Sequence, residues 1–224
     1  MRMLRVSSVA VLSLAFAASA AVAQTSVPPN QISVKGDTSI LKAPAGVKVA
    51  ILEWEDLECP ACAHAFPIVH EAAGHYKIPI VERDFPLQMH LWSKRAALYA
   101  RYMHDKISPD FALEYRREVF AKQYSISSMD DLEGFTRQYM SKSGKQLPFV
   151  VDPDGSLQKE IDADYNLGVR LGINETPTIV VATQHHWIQV KDVSQLYNAI
   201  DQANEMAAHE VPTSTGAHKT AVKK

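Results

Sequence analysis

The sequence predicts an α/β domain in which a block of helices interrupts the central sheet. Three observations support this. A buried strand, an amphipathic helix and a second strand follow one another over residues 47–87. Residues 90–170 then show only helical periodicity. Strand character returns at residues 176–190, before a closing amphipathic helix, so two parts of one sheet flank the helical block.

The first part of the sheet begins with "VKVAILEW" (47–54), an apolar run without alternation that is typical of a strand buried on both faces. The following segment places Cys62, Phe66, Val69, Ala73 and Tyr76 on one helical stripe. "KIPIVERDFPL" (77–87) is the second strand. Strand, helix and strand in about forty residues indicate a βαβ unit.

The helical block contains four amphipathic stretches, at about 90–105, 108–125, 128–144 and 155–172. Ser108-Pro109 is typical of an N-cap followed by proline in the first helical position. The block is followed by "TPTIVVATQHHWIQV" (176–190), with a turn near residues 184–186, and by a helix over 192–207. We expect the core domain to span 47–208 and the polar segment 209–224 to be a disordered tail.

The N-terminal segment predicts export. Arg2 and Arg5 precede an apolar run, and Ala21-Val22-Ala23 is a typical cleavage site, so residues 1–23 are expected to be a signal peptide. A membrane anchor is the alternative, but the apolar run is shorter than the roughly 20 residues that span a bilayer. Residues 24–46 read as a lead-in rich in Pro, Ser and Gly, with room for one short edge strand.

Composition limits the functional classes. The chain has 224 residues, 46% hydrophobic and 21% charged, which suits one domain with a sizeable core or two small ones. The formal net charge is −2 and no basic stripe is present, so nothing predicts binding to nucleic acid.

The chain has two cysteines, Cys59 and Cys62, and three interpretations compete: a redox pair, half of a metal site, or a structural disulfide. Export would place the pair in an oxidising compartment. A bridge that closes so short a loop removes little entropy from the unfolded chain, which disfavours a structural role. A zinc site needs four ligands, and His64, His70 and the distant His185-His186 would have to converge. We therefore expect no metal.

The position of the pair favours redox chemistry. Cys59 follows a buried strand and opens a helix, where unpaired N–H groups and the helix dipole stabilise a thiolate. Cys62, one turn inside, would be the resolving thiol. Pro60 suits an early helical position because its missing N–H would be unpaired anyway.

"LEWEDLECPAC", followed by "RDFPL", a helix-rich insert and "LGINETPTIVV", is similar to the DsbA-like thioredoxin-fold oxidoreductases of bacterial envelopes, over most of residues 47–205. The resemblance implies a thioredoxin-like fold with an inserted helical domain. It places the family's cis-proline at Pro177 and its acidic strand residue at Glu53, as a proton acceptor near Cys62. It also implies that the Thr176 backbone pairs with an extended substrate.

The chain departs from the strongest oxidants of the family at Ala61, where they carry a polar residue or histidine. We read Glu55, Asp56 and Glu58 as solvated loop charges that oppose the Cys59 thiolate. Together these features predict a thiol that is activated but less acidic than in the strongest oxidants.

The expected function is that of a periplasmic thiol–disulfide oxidoreductase without a cofactor. Its substrates would be exported cysteine-containing proteins, and the family implies reoxidation by a membrane quinone-linked partner. Only about twenty residues separate the cleavage site from the first core strand, too few for a dimerisation domain, so we expect a monomer. The direction of exchange stays open. The alternative is a thioredoxin-like module that binds metal or peptide without turnover.

Overall fold

The computed structural model describes residues 34–210. Its four strands are β1 (Ala50–Glu55), β2 (Ile80–Asp84), β3 (Thr178–Ala182) and β4 (Trp187–Val190). They form one sheet in the order β2-β1-β3-β4. β1 is parallel to β2 and antiparallel to β3, and β3 is antiparallel to β4. The predicted thioredoxin-like sheet with an inserted helical region is confirmed.

The longer helices are α1 (Pro60–Tyr76), α2 (Ser93–Lys106), α3 (Pro109–Lys122), α4 (Met129–Lys142), α5 (Ser156–Arg170) and α6 (Leu196–His209). α2 to α5 lie between β2 and β3 in the chain. Local sequence explains where two of them begin. The Ser108 side chain accepts the Phe111 N–H at 3.2 Å, and the Ser128 side chain accepts the Asp131 N–H at 3.1 Å. Each serine thereby pairs a first-turn N–H group that has no acceptor within its helix.

The two faces of the sheet pack against different helices. Side chains alternate along a strand, so Ile51 faces a core with Val69 of α1 and Ile200 of α6, whereas Leu52 and Trp54 face the opposite way. A third core joins the start of α1 to the helical insert and contains Cys59 and Cys62. The cysteine pair therefore lies where the sheet domain and the insert meet.

Gly168 lets α5 approach the sheet closely. A Cβ atom at this position would lie 2.6 Å from the ring of Phe85 and 3.1 Å from that of Trp54. Side-chain packing at this density leaves no room for a methyl group. The glycine thus fixes how closely α5 covers the sheet.

The ends of the described chain bear on several predictions. Residues 34–46 contain a short 3₁₀ turn, Thr38–Ile40, and no strand. α6 runs through His209, and the Glu210 carboxylate bonds with the Thr183 hydroxyl, so the first two residues of the predicted tail are ordered. The predicted signal peptide, residues 24–33 and residues 211–224 lie outside the described residues. Among residues 34–210, no helix has both the length and the apolar character needed to cross a bilayer.

Candidate active site

Cys59 is the residue immediately before α1. Its backbone is extended, with φ −82° and ψ 120°, and its carbonyl oxygen accepts the Ala63 N–H at 3.1 Å. Pro60 occupies the start of the helix, where the missing N–H leaves no acceptor unpaired. Because the N–H groups of the first turn lack helical acceptors, those of Ala61 and Cys62 are available to the Cys59 sulfur.

These neighbours make Cys59 the more acidic thiol. A hydrogen bond from the Cys62 thiol is the largest influence, and contacts with Thr176 and the first-turn amides add to it, so the pKa of Cys59 falls to about 5 even though burial opposes the shift. The residue as a whole is 7% exposed, against 1% for Cys62. At neutral pH the sulfur is therefore a thiolate, the nucleophilic form of cysteine.

Cys62 lies one turn further into α1 and is 1% exposed. Burial raises the pKa of its thiol, and the neighbouring Cys59 and Glu55 raise it further. The Asp56 N–H donates to the Cys62 sulfur at 3.4 Å. Both cysteines are free thiols in this structure. The pair therefore combines an acidic thiol with one that stays protonated.

The segment before β3 faces the pair. The Cys59 sulfur lies 3.3 Å from the carbonyl oxygen of Thr176, although 117 residues separate the two in the chain. The peptide bond Thr176–Pro177 is cis. The fold thus brings Cys59, Cys62, Pro60, Ala61, Thr176 and Pro177 together, as the resemblance implies.

A groove of about 420 Å³ runs beside this arrangement. Ala61 and His64 of α1 line one side, Thr176 and Pro177 lie at its base, and the residues after β4 form the other wall. Thr176, which lines the groove, also has its carbonyl oxygen 3.3 Å from the Cys59 sulfur, so the groove lies next to the cysteine pair.

The three carboxylates before Cys59 were expected to be solvated, and for Glu55 and Asp56 this is wrong: each is only 2% exposed. Asp56 accepts the N–H groups of Glu58 and Leu87 at 2.7 and 2.6 Å and lies 2.7 Å from the His90 ring nitrogen. Glu55 is buried because β1 extends through it. Asp56 is buried because its carboxylate accepts backbone N–H groups that would otherwise lack an acceptor.

Glu58 also has a structural role that the sequence analysis missed. Its carboxylate accepts the N–H groups of Leu91, Trp92 and Ser93 at 3.0, 2.6 and 2.9 Å. These are groups at the start of α2, which have no acceptor within the helix. The residue adjacent to Cys59 therefore caps the first helix of the insert.

Glu53 is buried in β1, at 1% exposure, and its Oε1 atom has no hydrogen-bond partner among the described residues. Burial raises its pKa, and the neighbouring carboxylates of Glu55 and Glu82 raise it further, against the effect of Arg116. Glu55, at the end of the same strand, is one of the groups that raise the pKa of the Cys62 thiol. The role of Glu53 as the proton acceptor of Cys62 stays a prediction.

Arg116 of α3 pairs with two buried carboxylates near the site, and the sequence analysis did not identify it. It donates to Glu55 at 2.6 Å and to Asp84 at 2.7 Å, while it is 5% exposed. A detectable signal was present, because Arg116 lies beside Tyr115 and Val119 on the apolar side of an otherwise ordinary amphipathic helix. A charged residue in that position needs a buried partner.

The family model described as thioredoxin matches residues 43–202. The chain belongs to this thioredoxin family. No curated protein matches it. Three solved structures share the fold: the thiol-disulfide exchange protein alpha-DsbA2 of Wolbachia pipientis, DsbA2 of Pseudomonas aeruginosa and BdbD of Bacillus subtilis. Their sequence identities to this chain are 16%, 19% and 19%, respectively.

The alignments cover 74%, 75% and 79% of this chain and 85%, 92% and 97% of the respective structures, with TM-scores of 0.56, 0.54 and 0.57. This thioredoxin-family chain therefore has the DsbA-like fold that its sequence resembles. Among its described residues, no three His, Cys, Asp or Glu side chains form a group that could hold a metal ion.

Proposed function

We propose that the protein is a periplasmic thiol–disulfide oxidoreductase that exchanges disulfides with exported proteins through Cys59 and Cys62. The observation that carries the proposal is the difference between the two thiols. The pKa of Cys59 is lowered to about 5, whereas that of the buried Cys62 is raised. The first thiol can attack, and the second can resolve.

In the oxidising direction, a substrate thiolate attacks the Cys59 sulfur of the Cys59–Cys62 disulfide. A bond forms between the substrate sulfur and the Cys59 sulfur, the Cys59–Cys62 bond breaks, and the Cys62 sulfur leaves with the electron pair and takes up a proton. A second substrate thiolate then attacks the substrate sulfur of this mixed disulfide, and the Cys59 thiolate leaves. The substrate is oxidised to a disulfide and the pair is reduced to two thiols.

Substrate binding is proposed at Thr176 and Pro177. The Thr176 carbonyl at 3.3 Å from Cys59 offers a backbone acceptor beside the reacting sulfur. An extended peptide can pair with such a backbone while its side chains enter the neighbouring groove. This arrangement favours unfolded segments over folded surfaces.

The remaining parts of the proposal come from the sequence. The predicted signal peptide and the family resemblance support a periplasmic location, a monomeric state and reoxidation by a membrane quinone-linked protein. The direction of exchange depends on the reduction potential of the pair.

Insulin reduction and thiol oxidation by the purified protein test the activity, with Cys59→Ser as the inactive control. Cys62→Ser should accumulate a mixed disulfide, because Cys59 attacks and nothing resolves the adduct. Equal activity of the wild type and Cys59→Ser would overturn the proposal. A stoichiometric zinc or copper content, together with such equal activity, would favour the binding module instead.

A further inference from the structure

We propose that the charged rim of the groove beside Thr176 selects substrate segments that carry basic side chains near the reacting cysteine. The inference rests on the proposed function and names the class of substrate that the same site takes. The lining of the groove has a buried part and an exposed part, and only the exposed part distinguishes one charge from the other.

The buried part of the lining is apolar. Ala65 of α1, Ile179 of β3 and Val190 of β4 line the groove, and all three belong to the core between the sheet, α1 and α6. Ile179 and Val190 are paired across the two strands, so their side chains lie on the same face of the sheet. This floor favours apolar side chains of a substrate, but the hydrophobic effect does not distinguish acidic from basic segments.

The exposed part of the lining is charged, and we call it the rim. It consists of Glu175, which precedes Thr176, of Lys191 and Asp192, which follow β4, and of His64 on α1. The Lys191 ammonium group forms an ion pair with the Glu175 carboxylate. Because opposite charges in contact offset one another, this pair adds little net charge to the rim.

Asp192 supplies the charge that the ion pair leaves over. Its Oδ1 atom accepts the Ser194 N–H at 2.9 Å. Hydrogen bonds from the Ser194 side chain and amide lower the pKa of Asp192, so this exposed carboxylate is ionised at neutral pH. At pH 8, above the ordinary titration range of histidine, the rim carries two carboxylates and one ammonium group. Its net charge is therefore negative.

The rim lies where the residues next to a substrate cysteine would pass. The carbonyl oxygen of Thr176 is 3.3 Å from the Cys59 sulfur, and Thr176 also lines the groove. An extended segment rises about 3.3 Å for each residue, so the first few residues beside the substrate cysteine are the ones that meet the rim.

Thr176 gives an independent sign that a segment binds in the groove. The residue is only 8% exposed, and its hydroxyl oxygen has no hydrogen-bond partner among residues 34–210. A buried hydroxyl without a partner costs free energy. A backbone amide of a bound substrate segment can supply the missing bond.

A basic side chain in this position is attracted by the net negative rim, whereas an acidic side chain is repelled. Exposed ion pairs are weak, and each charge that is added or removed should change the rate of exchange about two- to fivefold. The preference should also weaken with salt, because ions screen exposed charges.

The test uses two synthetic peptides with two cysteines each, identical except that lysines flank the cysteines in one and glutamates in the other. They are tested at pH 8 as dithiols with the disulfide form of the protein, and as disulfides with its dithiol form. The measured quantity is the ratio of the second-order rate with the lysine peptide to that with the glutamate peptide. The intrinsic reactivity of each peptide is the same with every variant, so it cancels when ratios are compared, as in a double-mutant cycle.

The variants change the rim one charge at a time. Asp192→Asn should lower the ratio about two- to fivefold, and Glu175→Gln should lower it by a similar factor, because it removes the carboxylate that offsets Lys191. Lys191→Met should raise the ratio by a similar factor. Asp37→Asn is the matched control, because Asp37 also accepts the N–H of a serine two residues on, at 3.1 Å, but does not line the groove. Its ratio should stay within about 1.5-fold of wild type.

The salt dependence of the wild type requires no variant and covers the case in which a substituted protein does not fold. The ratio is measured from about 0.02 M to about 0.5 M sodium chloride, over which exposed charges become screened. The same peptides with bis(2-hydroxyethyl) disulfide, a small neutral disulfide, give the reference. Relative to this reference, the wild-type ratio should fall at least about twofold.

A ratio in Asp192→Asn that equals or exceeds that of the wild type would overturn the inference. So would a lowered ratio in Lys191→Met, or a wild-type ratio that salt does not change relative to the neutral reference. Failure of the wild type to exchange with either peptide in either direction would instead overturn the proposed function, and this inference with it.

Discussion

The acidity of Cys59 determines how oxidising the pair is. The pKa of about 5 lies about two units below pH 7, and each unit corresponds to about 1.4 kcal/mol. A thiolate formed at pH 7 therefore stabilises the reduced, folded protein by about 2.7 kcal/mol relative to an unperturbed thiol. Screening by solvent reduces this stabilisation, so we expect the Cys59 thiolate to stabilise the reduced protein by about 1–3 kcal/mol.

The same stabilisation raises the reduction potential, because it favours the dithiol over the disulfide. At about 30 mV for each 1.4 kcal/mol, the expected rise is about 20–60 mV. The potential should lie between the values of thioredoxin and of the strongest oxidants, about −270 and −120 mV. Ala61→His would place a cationic donor beside the thiolate and should raise the potential further.

Equilibration with glutathione redox buffers, followed by mass spectrometry, gives the potential, and thiolate absorbance gives the pKa of Cys59. The folded-state pKa is depressed, so its contribution to stability is complete above the unfolded value of about 9 and is lost as the pH falls through about 5. Reduced wild type should therefore lose stability relative to Cys59→Ser between pH 7 and pH 5. A thiolate pKa above about 8, or a stability difference that does not change with pH, would refute the reasoning.

Three further predictions concern the framework of the site, each measured as the free energy of unfolding in urea. Gly168→Ala should destabilise the protein by about 1–3 kcal/mol, because the new methyl group meets the ring of Phe85 at 2.6 Å. The control is Gly134→Ala in α4, whose methyl group meets no atom within 4 Å and should stabilise the protein by about 1 kcal/mol. Equal effects of the two substitutions would contradict the packing argument. Glu58→Ala should cost about 1–3 kcal/mol, since three N–H groups lose their acceptor, against less than about 0.5 kcal/mol for Glu114→Ala on the surface of α3. Arg116→Leu should cost about 3–5 kcal/mol, because the buried Glu55 carboxylate loses its guanidinium partner and the buried Asp84 is left with Arg101 alone. A change below about 1 kcal/mol would show that Arg116 does not hold these charges.

The fold was predictable because its elements follow simple periodicities. The unbroken apolar run became β1, and the four amphipathic stretches of the insert became α2 to α5. Cys59 and Cys62 could be placed at the helix start because Pro60 marks that position locally. The meeting of Thr176 with Cys59 came from family resemblance, since no local pattern reports a contact over 117 residues.

The burial of the carboxylates could not be predicted from local sequence. Glu55 and Asp56 look like loop charges until α3 brings Arg116 to one of them and the loop after β2 brings backbone N–H groups to the other. A cluster of carboxylates in the sequence predicts solvent-exposed side chains unless a partner that lies far away in the chain is known. The position of Arg116 on an apolar helix face was the one local sign of such a partner.

The cap that Glu58 provides has a further consequence for communication within the molecule. Glu58 directly precedes Cys59 in the chain, and its carboxylate bonds with the N–H groups at the start of α2, so it links the insert to the residue that carries the reactive thiol. A rotation of α2 away from the sheet would displace the backbone on which Cys59 is mounted. The backbone amides of Trp92 and Ser93 should therefore exchange with deuterium at rates that differ between the disulfide and dithiol forms. Such a difference would show that the start of the helical insert responds to the redox state of the Cys59–Cys62 pair, although none of the insert's residues belongs to that pair.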